Sequence, residues 1–222
     1  MNSSQYVQSV GRAASGWHRM LSVAAACVAV AVCPTGAGVA QAQTDLPPVG
    51  AEISSSMLAT GSIFEIRSST LALDLRGGIK QRVVEDPDDP VNSVRLRTVG
   101  FKLSAQIGDG DGDGGGGGGG SITFQQSDID TTAPSTLRLT QTSPARYEEK
   151  DLLDFSVTIE QPDGEPLVLQ AKSPMVLTAE LAQYPADGEM FRLEEPVEFV
   201  DLENPETVVA RLTAFPCKRG RL

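Results

Sequence analysis

The sequence predicts an all-β fold: an antiparallel β-sandwich of roughly ten strands, with a closed β-barrel as the alternative and at most one short helix. Three observations lead there. Apolar and polar residues alternate with a period of two over most of the chain beyond residue 60. Proline and glycine clusters interrupt that alternation at strand-length intervals. Helical periodicity is confined to one short stretch. Strands of six to nine residues with one face wet and one face dry are the mark of antiparallel sheets.

The elements follow in order. "TLALDLR" puts Leu71, Leu73 and Leu75 on one face and Ala72, Asp74 and Arg76 on the other. "SVRLRTVGFKLSAQI" alternates in two phases, Val94, Leu96 and Thr98 and then Val99, Phe101, Leu103, Ala105 and Ile107. The slip between Thr98 and Gly100 is what a β-bulge produces, one extra residue in one strand. "LDFSVTIE" aligns Leu153, Phe155, Val157 and Ile159, and "LVLQA" follows it across Pro162-Asp163-Gly164. That tripeptide is turn chemistry, so the two runs form a hairpin. "MVLTAEL", "EMFRLE", "VEFVDL" and "TVVARLTAF" continue the pattern. The helical candidate is "PARYEEKDLL", with Ser143 as cap, Pro144 at the first helical position and Glu148 and Glu149 early.

The first 42 residues read as a secretory signal. Arg12, His18 and Arg19 precede the 13-residue apolar run Met20–Val32, and Ala40-Gln41-Ala42 is an A-x-A cleavage site. The run is shorter than the roughly 20 residues a membrane span needs. Residues 43–60 read as a flexible lead, and 61–222 as one domain. Cleavage removes the single histidine (His18), the single tryptophan (Trp17) and two of three cysteines (Cys27 and Cys33). It leaves 16 Lys and Arg against 29 Asp and Glu, a net charge of −13.

These losses bound the chemistry. Without histidine there is no Ser-His-Asp or Cys-His machinery and no imidazole ligand. One cysteine cannot build a zinc site. The acidic balance argues against nucleic acid and anionic membrane surfaces as partners. Cys217 has no intrachain partner, which leaves a buried thiol, or a reactive one beside Lys218, Arg219 and Arg221 that forms an intermolecular disulfide.

Residues 108–120 hold the one visible hint of a ligand. Asp109, Asp111 and Asp113, followed by Gly114, match the opening of an EF-hand loop, in which alternating carboxylates converge on calcium. The twelfth position should be a bidentate glutamate and is Gly120. Seven consecutive glycines carry the largest ordering entropy of any backbone. The stretch is therefore expected to be a disordered loop between two strands, with the three aspartates as weak metal candidates at most. Glu85, Asp86, Asp88 and Asp89 in "VVEDPDDPVNS" read as a solvated turn.

No cofactor is implied, and no catalytic residue is singled out. The expected function is that of an exported, non-catalytic binding or envelope-associated module, secreted or periplasmic, with an unknown protein or small-molecule partner. The alternatives are a barrel-type carrier of small apolar ligands, with the seven phenylalanines as cavity lining, and a carboxylate-dependent hydrolase. The signal reading has a direct check. The mature protein is expected to begin at Gln43, and N-terminal sequencing of exported material that returns Met1, or a lipid on Cys27 or Cys33, would refute it.

Overall fold

A computed structural model describes residues 46–108, 119–127, 134–161 and 164–222. Among them the chain is all β and antiparallel, with no helix. Thirteen strands form one hydrogen-bonded sheet: β1 (Glu52–Ile66), β2 (Ser69–Glu85), β3 (Ser93–Ile107), β4 (Gly120–Gln126), β5 (Ser135–Thr142), β6 (Ala145–Leu153), β7 (Phe155–Glu160), β8 (Leu167–Ala171), β9 (Met175–Leu181), β10 (Met190–Leu193), β11 (Val197–Asp201), β12 (Asn204–Ala214) and β13 (Cys217–Arg221).

The register reduces these strands to eight long ribbons. β1, β2 and β3 run unbroken over 15, 17 and 15 residues. The other five ribbons are each broken halfway, into β4/β5, β6/β7, β8/β9, β10/β11 and β12/β13. Each ribbon pairs with the next in chain order, and the last pairs with β1. The result is an up-and-down meander with two tiers. In one tier the ladder returns on itself through β1, β2, β3, β4, β7, β8, β11 and β12. In the other it returns through β1, β2, β3, β5, β6, β9, β10 and β13.

The breaks have a chemical cause. Pro134, Pro174, Pro196 and Pro216 stand immediately before β5, β9, β11 and β13. A proline has no N–H to give to a ladder, so pairing lapses there. The unbroken strands instead change neighbours at bulges. β1 leaves β13 after Ala59 and joins β12 from Ile63, and its register with β2 slips between Ala59 and Ser62. Gly61 holds a φ of 70° at that slip, where glycine carries no steric penalty. β3 leaves β5 after Leu96 and joins β4 from Lys102, and its register with β2 skips Val99. This is the bulge the alternation predicts between Thr98 and Gly100. The predicted hairpin is also present, as β7 paired with β8.

The tiers differ inside. Phe64, Phe101, Phe124, Phe155, Phe199 and Phe215 fill the first, all at most 4% exposed, with ring centroids 5.4–6.5 Å apart. Such tilted and edge-on contacts add about 0.5–1.5 kcal/mol per pair to the burial itself. These phenylalanines are core, and Phe101 also borders a cleft beside β3. The second tier mixes Met57, Ile79, Leu137 and Leu177 with the buried polar residues Gln81, Glu149, Asp151 and Arg219.

Three expectations are corrected. The helical candidate Pro144–Leu153 is strand β6. Its helix-forming Glu and Leu side chains are overridden by pairing with β5 and β9 on both sides. The lead expected at 43–60 is in part strand, because β1 begins at Glu52 and occupies a paired position between β2 and β13. The strand count is thirteen where roughly ten were expected, because the breaks divide five ribbons in two.

The midpoint of β2 tests this packing. A Cβ on Gly77 would collide with the backbone carbonyl of Lys102, whereas one on Gly100 would meet only the Lys80 Cβ at 3.7 Å. Gly77→Ala is expected to cost about 2 kcal/mol or more in urea melts, as overpacking against backbone does. Gly100→Ala should stay within about 1 kcal/mol. Equal tolerance of both would overturn the register at the midpoint.

Candidate functional site

The second tier contains a buried ionic cluster built by alternation. β6 turns Tyr147, Glu149, Asp151 and Leu153 inward, and β13 turns Cys217 and Arg219 inward. Glu149 and Asp151 sit two residues apart on one face of one strand, and Arg219 reaches both. Its Nη1 donates to Glu149 Oε1 at 2.6 Å, and its Nη2 donates to Asp151 Oδ2. Gln81 on β2 donates from Nε2 to Asp151 Oδ1 at 2.7 Å. Phe191 on β10 lies under the guanidinium, 4.1 Å from ring centroid to Cζ, in cation–π geometry. Glu149, Asp151 and Arg219 are 1%, 0% and 2% exposed, so no bulk water screens them.

The electrostatics follow from that enclosure. Burial raises the Glu149 carboxyl to about 8, and the Asp151 charge adds to the rise against the opposing pull of Arg219. Glu149 therefore holds its proton more tightly than an ordinary carboxyl. Burial pushes Arg219 downward, but the Asp151 and Glu149 charges outweigh it and hold the guanidinium above its ordinary value. Burial, then the Glu149 and Asp151 charges, raises the Tyr184 hydroxyl.

Tyr184 belongs to the connection of residues 182–189, which joins β9 to β10. The β9–β10 register covers two pairs, Thr178 with Arg192 and Leu177 with Leu193, and β10–β13 covers Met190 with Lys218 and Phe191 with Cys217. The end of β9, Ala179–Leu181, lies beyond that ladder. The connection is fastened to β13 by Gly188 N to Arg219 O at 2.6 Å and Arg219 N to Glu189 O at 3.1 Å. Tyr184 is half-buried with its hydroxyl enclosed, and its ring lies 6.4 Å from that of Tyr147.

Four buried side-chain polar atoms among the described residues lack a hydrogen-bond partner, and three belong to this cluster: Glu149 Oε2, Arg219 Nε and the Tyr184 hydroxyl. The fourth, Thr98 Oγ1, is a residue of a cleft of about 380 Å³ between β3 and the broken ribbons β4/β5 and β6/β7. Leu96, Phe101, Leu153 and Asp154 also line that cleft, and burial raises the Asp154 carboxyl.

The residues singled out from sequence lie elsewhere. Asp109, Asp111 and Asp113 fall outside the described residues. Ile107 pairs with Gly120. Among the described residues, no three His, Cys, Asp or Glu side chains gather as metal ligands. In the acidic turn, Asp86 and Asp88 are bonded by Arg95 at 3.1 and 2.7 Å. Cys217 is fully buried, and its thiol is pushed up to about 12, first by burial. Its neighbour Arg219 pulls the thiol down, but burial outweighs that pull, and a disulfide to another chain would require β13 to open. The cluster residues themselves left one sequence signal. Gln81, Glu149, Asp151 and Arg219 each occupy an apolar-phase position of a strand.

No protein-family model and no curated protein matches the chain. A solved structure that it resembles is DynF from the dynemicin biosynthesis pathway of Micromonospora chersina. The TM-score is 0.59 at 14% identity, over 79% of this chain and 82% of that one. At that identity the likeness is one of fold.

The raised carboxyl gives a pH prediction with a definite sign. Glu149 titrates near its ordinary 4.5 when unfolded and near 8 when folded. Between those values the unfolded chain has released a proton that the native state keeps. Glu149 thus contributes full stability below about pH 4.5 and loses it as pH rises through about 8. Glu149→Gln is neutral throughout and keeps an oxygen for Arg219 Nη1. The parent's melting temperature should fall between pH 5 and 9 by roughly 5–10 °C more than the variant's, corresponding to on the order of 2–5 kcal/mol. Parallel pH profiles would refute the buried, protonated Glu149.

Proposed function

We propose that this chain is an exported, non-catalytic binding protein that takes a small molecule in its ionic tier. The observation that carries this reading is the concentration of unpartnered buried polar atoms at Glu149, Arg219 and Tyr184, in a fold whose other tier is filled by phenyl rings. Buried polar groups are ordinarily satisfied, and each exception costs about 1–3 kcal/mol. Three exceptions in one place fit a site whose remaining partner is a guest.

The same geometry weighs against the two alternatives. A glycosidase pair flanks its substrate, with carboxyl groups about 5–9.5 Å apart across a cleft. Here both carboxyl groups project from one strand face, are bonded to one guanidinium, and are at most 1% exposed. An apolar carrier needs an empty apolar space, and the phenylalanine tier is packed. The export half of the reading rests on the first 42 residues and the acidic balance of the rest.

Native mass spectrometry of protein exported by a bacterial host tests the reading. A bound small molecule is expected, released on denaturation, and absent from Ala179→Trp, which fills the inner face of β9. A mass equal to the bare chain under all conditions would overturn it. Turnover of chromogenic glycosides that disappears in Glu149→Gln would replace it with the hydrolase.

A further inference from the structure

The geometry points to a second binding place, independent of the ionic tier: the cleft beside β3, lined by Asp154 and Thr98, takes a small primary ammonium ion with an apolar body. The cleft is a product of the ribbon breaks. β3 pairs with β5 as far as Leu96 and with β4 only from Lys102, so residues 97–101 have no ladder partner on that side. The next ribbon is broken beside it, where Asp154 stands alone between β6 and β7. Ser127 N donates to Asp154 O at 3.1 Å, and Ser135 Oγ accepts from Leu152 N at 2.8 Å, so both halves of the β4/β5 ribbon are tied to the β6/β7 ribbon around the opening. The space left is about 380 Å³, within the range of about 300–1,000 Å³ that small-molecule pockets occupy.

The lining sets the class of guest. Leu96, Phe101 and Leu153, each at most 4% exposed, give the cleft an apolar floor. Two polar groups of the same lining stand without a partner. Thr98 continues the inward phase of Leu96, and its Oγ1 is buried without a hydrogen bond. Asp154 is half-buried, and burial raises its carboxyl with no cation or hydrogen bond opposing the rise. Gln126 donates its Nε2 to Thr98 O at 3.0 Å, which leaves its Oε1 as a further acceptor. A carboxyl, a hydroxyl and an amide oxygen call for donors, and a primary ammonium carries three on one centre. It also brings the opposite charge that a partly desolvated carboxyl lacks, and charge-assisted hydrogen bonds are the stronger kind. The charges at the rim favour the same sign. Arg95 is bonded by Asp86 at 3.1 Å and by Asp88 at 2.7 Å, so its charge is already met. Arg97 is exposed and is itself engaged. Glu85 and Asp154 are the charged groups of the lining that remain, and an anionic guest would stand against both.

Three probes with one body and different heads test this on the full chain: 2-phenylethylammonium, 2-phenylethanol and 3-phenylpropanoate, titrated by ligand-observed NMR at pH 7. The ammonium is expected to bind at least about tenfold more tightly than the alcohol, and the carboxylate more weakly still. Asp154→Asn keeps the shape and removes the charge, and it should weaken the ammonium by about tenfold or more while leaving the alcohol unchanged. Thr98→Val removes only the hydroxyl and should weaken the ammonium several-fold. Neither variant should melt earlier than the parent, because each removes a polar group that has no partner. Glu180→Gln, in the acidic groove of about 520 Å³ between β9 and β10, serves as the control and should leave ammonium binding unchanged. Equal binding of ammonium and alcohol overturns the ligand class. Ammonium binding indifferent to both Asp154→Asn and Thr98→Val overturns the location. A loss in Glu180→Gln as large as that in Asp154→Asn shows general attraction to an acidic surface and overturns the site. No binding of any probe overturns it as well.

Discussion

Everything in this molecule hangs on three strands that do not break. β1, β2 and β3 cross both tiers, and each of the other ribbons is interrupted halfway, four of them at a proline. A proline in the middle of an ordinary sheet would be a defect, because it withdraws a donor from the ladder. Here the lapses fall at one level, so they define a boundary and leave no scattered damage. The unbroken strands cross that boundary with bulges at Gly61 and Val99, and each bulge coincides with a change of pairing partner. A bulge adds twist and re-aims the following side chains. The two tiers can therefore present different interiors on the same backbone.

The contrast between those interiors is chemical. In the first, six phenyl rings bury a large apolar area, and each contributes about 1.5–3 kcal/mol by burial. The second places a guanidinium and two carboxyl groups where water cannot reach them. Desolvating such groups costs several kcal/mol each, and their attraction returns that cost only with full hydrogen bonding. Burial and the neighbouring Asp151 both raise the Glu149 carboxyl, which lowers the cost of enclosing two carboxyl groups with one guanidinium. Charged side chains on the outer faces form pairs such as Glu198 with Arg211 and Glu52 with Lys80 and Arg82.

The fold class was legible in the sequence, and the site was not. Alternation exposed β2, β3, β7 and β9 because their inward rows are leucine, valine, isoleucine and phenylalanine. The phase slip at Thr98–Gly100 even located a bulge. β6 was hidden because its inward row, Tyr147, Glu149, Asp151 and Leu153, reads as polar, and its Glu and Leu content favours a helix. The information that makes those carboxyl groups interior lies about seventy residues away, at Arg219. No local pattern contains it. For Cys217 the neighbouring Arg219 is visible in the sequence as a charge that lowers the thiol, whereas the burial that outweighs it comes from distant strands. The Asp/Gly run drew attention because its pattern is local, and local patterns are the kind a single sequence displays.

That distance also bears on why the cluster persists. Buried ion pairs can often be replaced by apolar side chains of similar volume at no loss of stability, and sometimes with a gain, whereas deleting one partner costs about 3–5 kcal/mol. This chain shows in its other tier that the same eight ribbons accept a wholly apolar filling. An interior selected for stability would be expected to look alike in both tiers. The ionic tier instead retains a guanidinium, two carboxyl groups and an enclosed hydroxyl, and it leaves three of their atoms without partners. Departures from local consistency in natural proteins tend to mark sites that perform a task. Here the departure takes the form of three buried polar atoms without hydrogen-bond partners, beside the eight-residue connection that joins β9 to β10. A stabilising device would have matched its donors and acceptors internally.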